Sequence, residues 1–255
     1  MTSNWIGLQT IIRREVERFF RVAGQTLVTP WISALLYIFV FGQVVGQRID
    51  QIGGISYIDF VLPGVLMMSV IGAAFGQSSS SIYFARFARH IEELLVSPLS
   101  YFEMILGYIV GVIARSLVVG LGIYVIAIFF SAATIQHFGL FLFYLISVSI
   151  IFGFLGILVG LWAKGFEQLG ILGTFVITPL SFVGGVFNTI DMLPSNLQGI
   201  AQWNPFFYFI DGIRYSMIGV RESNPVIGYV VIIGLTIVLG VMTERLFRRG
   251  YGLRT

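Results

Sequence analysis

The chain has 255 residues, of which 57% are apolar, 15% aromatic and 11% charged. Soluble domains carry about 25% charged residues, so this composition excludes a soluble globular domain and indicates an integral membrane protein. Because the sequence contains no cysteine, it also excludes disulfides and thiolate metal sites.

The first predicted element is an amphipathic helix over residues 5–21. One face carries the apolar side chains Trp5, Leu8, Ile12, Val16, Phe19 and Phe20. The opposite face is charged and carries Arg13, Arg14, Glu17, Arg18 and Arg21. This pattern is typical of a helix that lies in the membrane interface.

Six apolar segments follow, each long enough to cross a hydrocarbon core of about 30 Å. We predict membrane spans at 27–45, 57–83, 104–130, 138–162, 169–187 and 225–246. Eleven of the 15 Lys and Arg residues then fall on the side of the N-terminus. Positive charge marks the cytoplasmic side, so we expect both termini to be cytoplasmic.

The loop after the second span holds a short charged segment that ends at Pro98. If residues 84–97 form one helix, its apolar stripe contains Phe84, Phe87, Ile91, Leu94 and Leu95. The opposite face of that helix carries Arg86, Arg89 and Glu93. The residues leave two interpretations open: a helix that lies on the lipid, or a helix that docks onto a partner.

Arg115 lies inside the third predicted span. It is about 11 residues from the start of that span, which at 1.5 Å per residue is about 16 Å deep and near the bilayer centre. A charge at this depth is a functional candidate, although helix carbonyls or a hydroxyl of a neighbouring span could also satisfy it. No Asp or Glu lies deep in a predicted span, so an intramembrane proton relay has no candidates.

The second span contains a polar run from Gln77 to Ser81. This run either holds helices together by interhelical hydrogen bonds or faces an aqueous or substrate-filled cavity. Met and aromatic side chains nearby and in the fifth span suit an amphiphilic ligand, and the alternative is plain packing or lipid contact. The candidate pathway residues are Met67, Met68, Phe75, Ser78, Ser79, Thr178, Phe182, Phe187 and Asn188.

The connection between the fifth and sixth spans is apolar and aromatic. Pro194 lies near the start of a first short helix, and Asn204-Pro205 separates it from a second helix that reaches about residue 220. The two helices, within residues 191–220, fit a re-entrant or interfacial hairpin. The alternative is a surface loop with two interfacial helices.

The sequence has no Gly-x-x-x-x-Gly-Lys-(Ser/Thr) loop, no His-Glu-x-x-His and no Gly-x-Ser-x-Gly. It therefore offers no P-loop for ATP, no catalytic residues and no metal site. Its two histidines, His90 and His137, are far apart in the sequence. We expect a chain that is not an enzyme, that binds no cofactor of its own and that has no nucleic-acid partner.

In order and spacing, these motifs resemble the membrane subunit of an ABC-2 type transporter over nearly the whole chain. Helix 5–21 resembles the connecting helix of that family. The run from His90 to Pro98 resembles its coupling helix, a Glu-x-Leu-Leu-x-(Ser/Thr)-Pro pattern that docks into the ATPase subunit. The extracellular stretch of the family is matched by Leu193-Pro194, Asn204-Pro205 and Arg214. The chain is especially similar to small bacterial inner-membrane permeases that include the nodulation-factor export type.

The resemblance implies an all-α membrane fold in one domain over residues 1–255. This fold has six transmembrane helices, an N-terminal interfacial connecting helix (5–21), a cytoplasmic coupling helix (84–97) and an extracellular re-entrant hairpin (191–220). It also implies a homodimer in the bacterial inner membrane, with the pathway formed largely by the second and fifth spans.

The resemblance further implies two cytosolic ATPase subunits, which hold ATP and Mg²⁺. In that arrangement the apolar side chains of the coupling helix pack into the ATPase, and its charged side chains make polar contacts there. The residues expected to contact the ATPase are Phe87, Arg89, His90, Ile91, Glu92, Glu93, Leu94 and Leu95.

The predicted function is that of a permease subunit of an ATP-driven exporter. Its substrate would be lipid-like, amphiphilic or glycan-containing, although the spans lack the aromatic ladder expected for a long sugar chain. The alternative is a partner-independent channel or secondary transporter. The sequence disfavours it, because intramembrane carboxylates and matching broken helices are absent. A third class of protein, a membrane scaffold that transports nothing, is also disfavoured, because it gives Arg115 and the polar run no role.

Overall fold

The computed structural model describes residues 4–46, 51–52, 54–130 and 134–253. Helix α1 (Trp5–Arg21) precedes the first span, which consists of a π-helical turn (Gly24–Val28), α2 (Thr29–Phe39) and a second π-helical turn (Val40–Val45). Two short antiparallel strands, β1 (Gln51–Ile52) and β2 (Ile55–Ser56), lead into the second span, α3 (Tyr57–Phe87). Helix α4 (His90–Val96) connects it to the third span, α5 (Tyr101–Ile128).

The fourth span is α6 (Phe138–Trp162), and the fifth consists of α7 (Phe166–Leu172), a π-helical turn (Gly173–Ile177) and α8 (Thr178–Val183). A 3-10 turn (Ile190–Met192) precedes two short helices, α9 (Ser195–Trp203) and α10 (Pro205–Ile218), and the sixth span is α11 (Pro225–Arg248). Among the described residues, six helices are long and apolar enough to cross a membrane, which confirms the predicted number. The first and the fifth begin a few residues earlier than predicted, at Gly24 and Phe166.

Helix α3 is the centre of the bundle. It contacts α5, α6 and α10. In its most apolar stretch of 18 residues, 72% is buried inside the chain, whereas the corresponding value for the fifth span is 11%. Its closest approach is to α6, where a Cβ on Gly156 would lie 2.6 Å from the carbonyl oxygen of Phe75. Small residues let two helix backbones approach in this way. The second span is therefore held by its neighbours, whereas the fifth is exposed along most of its surface.

The first and fifth spans are interrupted in the same way. Each contains a π-helical turn followed by Thr-Pro, in the sequences GQTLVTP and GTFVITP. The hydroxyl of Thr29 donates to the carbonyl of Gly24 at 3.2 Å, and that of Thr178 donates to the carbonyl of Gly173 at 3.0 Å. Because proline has no N–H, the regular hydrogen-bond ladder is interrupted there, and the wider turn accommodates the break. Both spans stay helical, so they differ from the unwound segments of broken-helix transporters.

Helix α1 packs against α5, and its buried face differs from the predicted one. The buried side chains are Leu8, Ile11, Glu15 and Phe19. Trp5, which the sequence assigns to the apolar face, is 61% exposed. Two glycines of α5 explain this orientation: a Cβ on Gly107 would lie 2.6 Å from Ile11, and one on Gly111 would lie 2.5 Å from the Cβ of Glu15. The glycines leave a groove on α5 that receives this row of side chains.

Residues 84–97 do not form one continuous helix. Helix α3 extends to Phe87, and Arg89 then adopts a left-handed conformation with φ of 59° before α4 begins. A left-handed residue cannot continue a right-handed helix, so the single apolar stripe of the prediction is interrupted. Phe84 and Phe87 consequently belong to the end of the second span, and the loop helix itself is only His90–Val96.

The two predicted helices after the fifth span are present, and they differ in burial. Helix α9 exposes Trp203, whereas α10 packs against α3, α6 and α11 and is buried along most of its length. Asn204 fixes the junction between them. Its Oδ1 accepts from the N–H of Phe206 at 3.1 Å, and its Nδ2 donates to the carbonyl of Leu180 at 2.6 Å. Helix α10 is therefore packed into the bundle, and α9 lies on its surface.

Candidate functional site

A groove with a volume of about 390 Å³ runs between the second and fifth spans. The α3 residues that line it are Met68, Gly72, Phe75, Gly76, Ser79 and Ser80. The residues of the fifth span that line it are Leu169, Gly170, Gly173, Thr174, Ile177, Thr178 and Ser181. Four predicted pathway residues are among them: Met68, Phe75, Ser79 and Thr178. Hydroxyl groups on an otherwise apolar wall form a surface that suits an amphiphilic ligand.

Three glycines of this groove have no packing role among the described residues. A Cβ on Gly72, Gly76 or Gly170 would meet no atom of another described element within 4 Å. Glycine in a helix interior is less favourable than alanine by about 0.8–1.0 kcal/mol, so these positions do not stabilise the helices that contain them. They widen the groove without supporting the fold, which indicates a surface for a ligand or a second chain.

Two other predicted pathway residues, Met67 and Ser78, lie in the core of the chain. Both side chains are fully buried. The Ser78 hydroxyl donates to the carbonyl of Ala74 at 3.0 Å and faces Gly156 of the fourth span. Successive residues of a helix point about 100° apart, so the neighbours Met68 and Ser79 reach the groove while Met67 and Ser78 do not.

The remaining predicted pathway residues, Phe182, Phe187 and Asn188, lie beyond the groove at the end of the fifth span. The ring of Phe187 stacks on Phe41 of the first span with centroids 3.9 Å apart, and it lies 5.3 Å from the ring of Phe182. The hydroxyl of Tyr57 donates to the carbonyl of Phe187 at 3.1 Å. These contacts join the first, second and fifth spans at this end of the bundle.

The polar run of the second span is divided between the groove and a buried network. Ser79 and Ser80 line the groove, whereas Gln77 and Ser81 face Glu15 of α1. Gln77 Nε2 donates to the Glu15 carboxylate at 3.3 Å, and Ser81 Oγ donates to the same carboxylate. One part of the run therefore binds a neighbouring helix, and another part faces a cavity.

Arg115 belongs to the same network. Its Nη1 donates to Oε1 of Gln77 at 3.1 Å, and its Nη2 donates to the carbonyl of Thr26 at 3.3 Å. In an unbroken helix this carbonyl would accept from residue 30, but Pro30 has no N–H. Arg115 Nε is buried and has no hydrogen-bond partner among the described residues. The partners of Arg115 are thus an amide of the second span and a backbone carbonyl of the first.

Arg18 connects this network to the groove. Its Nη2 donates to the carbonyl of Gln77 at 3.0 Å and to the hydroxyl of Ser80, which lines the groove, at 3.3 Å. Its Nε lies 3.8 Å from the Glu15 carboxylate. A displacement of α1 would therefore act on a residue of the groove through a short chain of polar contacts.

Glu15 is not among the site residues predicted from the sequence, because it belongs to α1 and lies outside the predicted spans. The available indication was its spacing, because it lies four residues after Ile11 and four before Phe19 and so shares their face. A carboxylate on the buried face of a helix needs polar partners inside the protein.

Helix α4 is attached to the bundle by apolar residues that the family resemblance assigns to ATPase contact. Ile91 is 3% exposed and belongs to a buried cluster with Ile82 and Tyr108, and Leu94 and Leu95 are partly buried against that cluster. The residues of the assigned set that remain exposed are Phe87, Arg89, His90, Glu92 and Glu93. The surface of this region that is open to a partner therefore combines charged side chains with apolar ones, such as Phe87 at 66% and Val96 at 84% exposed.

Arg214 is buried at the opposite end of the bundle. Its Nη2 donates to the carbonyl of Gly185 at 2.5 Å, and its guanidinium carbon lies 3.8 Å from the ring centroid of Phe60. Its Nη1 lies 3.7 Å from the carboxylate of Glu222. Burial raises the pKa of Glu222, and the N–H of Ile190 and the charge of Arg214 oppose this effect. Arg214 thus links α10 to the second span and to the loops around it.

Known proteins match the chain over most of its length. The ABC-2 type transporter family model matches residues 7–218. The inner membrane transport permease YadH of Escherichia coli (strain K12) is 38% identical over 251 residues, which is 98% of each chain. Nodulation protein J of Rhizobium leguminosarum bv. trifolii is 30% identical over 224 residues, which is 85% of this chain and 82% of that protein.

The matched region includes most of α1, the buried network, the groove, and helices α9 and α10. The similarity thus covers the elements that position the site as well as the apolar spans, and it confirms the resemblance that the motifs indicate. With its six apolar helices and this match, the chain is a multi-pass membrane protein that belongs to the ABC-2 type transporter family.

Proposed function

We propose that the chain is the permease subunit of an ATP-driven exporter in the bacterial inner membrane. It would move a lipid-like, amphiphilic or glycan-containing substrate out of the cytoplasm or the inner leaflet. The observation that carries the proposal is the groove between the second and fifth spans, which three glycines keep wide. The Escherichia coli relative is an inner membrane transport permease by name, which supports the inner-membrane location. The excess of Lys and Arg on the side of the N-terminus supports cytoplasmic termini.

In this proposal a second copy of the chain completes the pathway. The fifth span has little contact with the rest of the bundle, and Phe175 on it is 74% exposed. Its exposed surface also carries Gly170, Thr174 and Thr178, and small or hydroxyl-bearing residues favour helix–helix contact in a membrane. Two copies that bring their fifth spans together would cover this surface and place their two grooves side by side.

The energy would come from two cytosolic ATPase subunits. The sequence has no P-loop, so ATP and Mg²⁺ would bind to these partners. Helix α4 would act as the coupling helix, with Glu92 and Glu93 exposed for polar contacts. Movement of α1 would reach the groove through Arg18 and Ser80, since these side chains are hydrogen-bonded.

The test is purification of the tagged chain from its native membrane in mild detergent, with mass spectrometry and an ATPase assay. We expect a P-loop subunit in a ratio near one to one and turnover that vanadate inhibits. The double variant Glu92→Lys, Glu93→Lys should lose this subunit and keep the wild-type unfolding temperature, because both side chains are exposed. In the control Ile91→Glu, the unfolding temperature should fall, because Ile91 is buried.

A homo-oligomer that contains no nucleotide-binding subunit would contradict the proposal. It would favour the second candidate, a secondary transporter, for which the buried carboxylate of Glu15 beside Gln77 and Ser81 is the supporting observation. That candidate predicts flux driven by a proton gradient in liposomes that contain the chain alone. It also predicts that Glu15→Gln abolishes this flux.

A further inference from the structure

A basic cavity lies at the α4 end of the interface between the second and fifth spans. Its volume is about 350 Å³. The residues that line it are Tyr83, Arg86, Phe87, Arg89, Ala163 and Lys164. Three of these six side chains are cationic, and none is a carboxylate. Basic pockets between membrane-spanning helices attract anionic headgroups, and phosphate oxygens are strong acceptors for arginine and lysine.

Arg86 is the fixed cation of this cavity. Its Nη1 donates to the carbonyl oxygens of Gly160 at 2.7 Å and Ala163 at 3.0 Å, at the C-terminal end of α6. Its Nε is buried and has no hydrogen-bond partner among the described residues. The two bonds of Nη1 hold the guanidinium, and with it a positive charge, at the wall of the cavity.

Arg89 and Lys164 supply two further charges that the described residues leave unpaired. Both side chains are exposed, and neither takes part in an ion pair within the described ranges. Arg89 adopts its left-handed backbone conformation at the edge of the cavity, where side chains other than glycine, asparagine and aspartate are uncommon. The two charges therefore remain available to an external anion.

An aromatic cluster connects the cavity to the groove. The ring of Phe166 lies 4.7 Å from the ring of Tyr83 and 5.2 Å from that of Phe87. Tyr83 follows the groove residue Ser80 by about one helical turn in α3, and Phe166 precedes the groove residue Gly170 by about one turn in the fifth span. The cavity and the groove are therefore successive sections of one interface. A phosphate in the cavity would direct an attached apolar chain past the aromatic rings towards the groove.

We propose that Arg86, Arg89 and Lys164 bind the phosphate of an anionic amphiphile, and that amphiphiles whose phosphate headgroup carries a net negative charge form the substrate class of this permease. This inference rests on the proposed function and names the chemistry that its groove would select. An acidic surface of the ATPase could also meet these cations. The concave shape and the adjoining aromatic rings favour the amphiphile, because they match a headgroup and a chain together.

The test measures ligand binding to the full-length chain in phosphatidylcholine nanodiscs, without the ATPase, by isothermal titration calorimetry. The ligands are dihexanoyl phosphatidic acid, dihexanoyl phosphatidylcholine and inorganic phosphate. We expect saturable binding of the phosphatidic acid and binding about tenfold weaker in the double variant Arg89→Asn, Lys164→Gln, since bonds to charged groups are lost. Asparagine tolerates the left-handed conformation, so this variant should stay folded.

Arg248→Gln is the matched control, because Arg248 is 69% exposed and pairs with Glu244 of its own helix at 2.7 Å. Its affinity for phosphatidic acid should equal that of the wild type. Equal binding by the wild type and the double variant would overturn the site, as would an equal loss in the control. Inorganic phosphate that binds as tightly as phosphatidic acid would overturn the assignment to an amphiphile and indicate a free anion.

Purification of the complex from the same double variant distinguishes phosphate binding by these cations from attachment to the ATPase. Loss of the ATPase with unchanged lipid binding would overturn the phosphate site and assign these cations to docking. Because the binding assay contains no ATPase, its failure leaves the purification test of the proposed function unaffected. Arg86 is left in place in these variants, since it also holds the end of α6.

Discussion

Arg115 binds groups from two other elements, the side-chain amide of Gln77 and the backbone carbonyl of Thr26. Water is not available within the apolar part of a bilayer, so a polar group that loses its partner there has no replacement. Gln77 in turn donates to Glu15, which makes the position of α1 dependent on residues of the second and third spans. The network therefore supports the fold and also fixes α1 beside the groove.

We predict that Arg115→Leu destabilises the protein by about 1–3 kcal/mol, because Gln77 and Thr26 each lose a donor while they remain inside the bundle. The measurement is the free energy of unfolding in mixed micelles titrated with dodecyl sulfate. The control Arg248→Leu removes an exposed pair within one helix and should cost less than about 1 kcal/mol. An Arg115 variant as stable as the wild type would show that the buried network does not stabilise the fold.

Glycines of two kinds occur on the helices around the groove. Gly156 lies where α6 crosses α3, and an added Cβ would meet the Ser78 hydroxyl and the Phe75 carbonyl. Gly76 and Gly170 face open space. The first kind determines how closely two elements pack, whereas the second kind determines the shape of a surface between two elements. Substitutions at the two kinds should therefore separate stability from function.

We predict that Gly76→Leu and Gly170→Leu keep or raise the unfolding temperature, because leucine favours the helix more than glycine does. The same variants should lose the part of the ATPase turnover that amphiphiles stimulate, since the new side chains fill the groove. Gly156→Ala is the opposite control and should lower the unfolding temperature. Normal stimulation in both leucine variants would show that the groove is not on the pathway.

The outer surface of the whole molecule has two chemically different faces. The sixth span exposes the aliphatic side chains Val230, Ile233, Ile237 and Val238, which suit lipid chains. The fifth span is as exposed but mixes the aromatic ring of Phe175 with glycine and threonine. A surface that lipid covers needs no such mixture, so the fifth span is the face on which we place the second copy.

We predict that the variant Phe175→Cys forms a cross-link between two copies of the chain in native membranes. The chain has no cysteine of its own, so a single substitution gives an unambiguous product on a non-reducing gel. Val230→Cys in the sixth span is the matched control, since Val230 is 64% exposed, and it should stay monomeric on the gel. Equal cross-linking at both positions would contradict the assignment of the two faces.

The sequence predicted the six spans and the break at Asn204-Pro205 because hydropathy and proline act within a few residues of chain. It did not predict that α1 buries Glu15, since this depends on Gly107 and Gly111 of a distant helix. A local pattern likewise could not foresee the left-handed Arg89, which divides the segment assigned to one helix. Periodicity identifies the faces of a helix, and only the packed bundle determines what each face meets.

Pro30 influences how readily Arg115 can be replaced during evolution. The Thr26 carbonyl accepts from Arg115, and Pro30 has no N–H to offer it. A neutral side chain at position 115 would remove this donor while Pro30 is present. With a residue such as alanine at position 30, a backbone donor would be available in its place, so the effects of the two changes on stability are not additive. In descendants of this chain, replacement of Arg115 is therefore expected to follow replacement of Pro30.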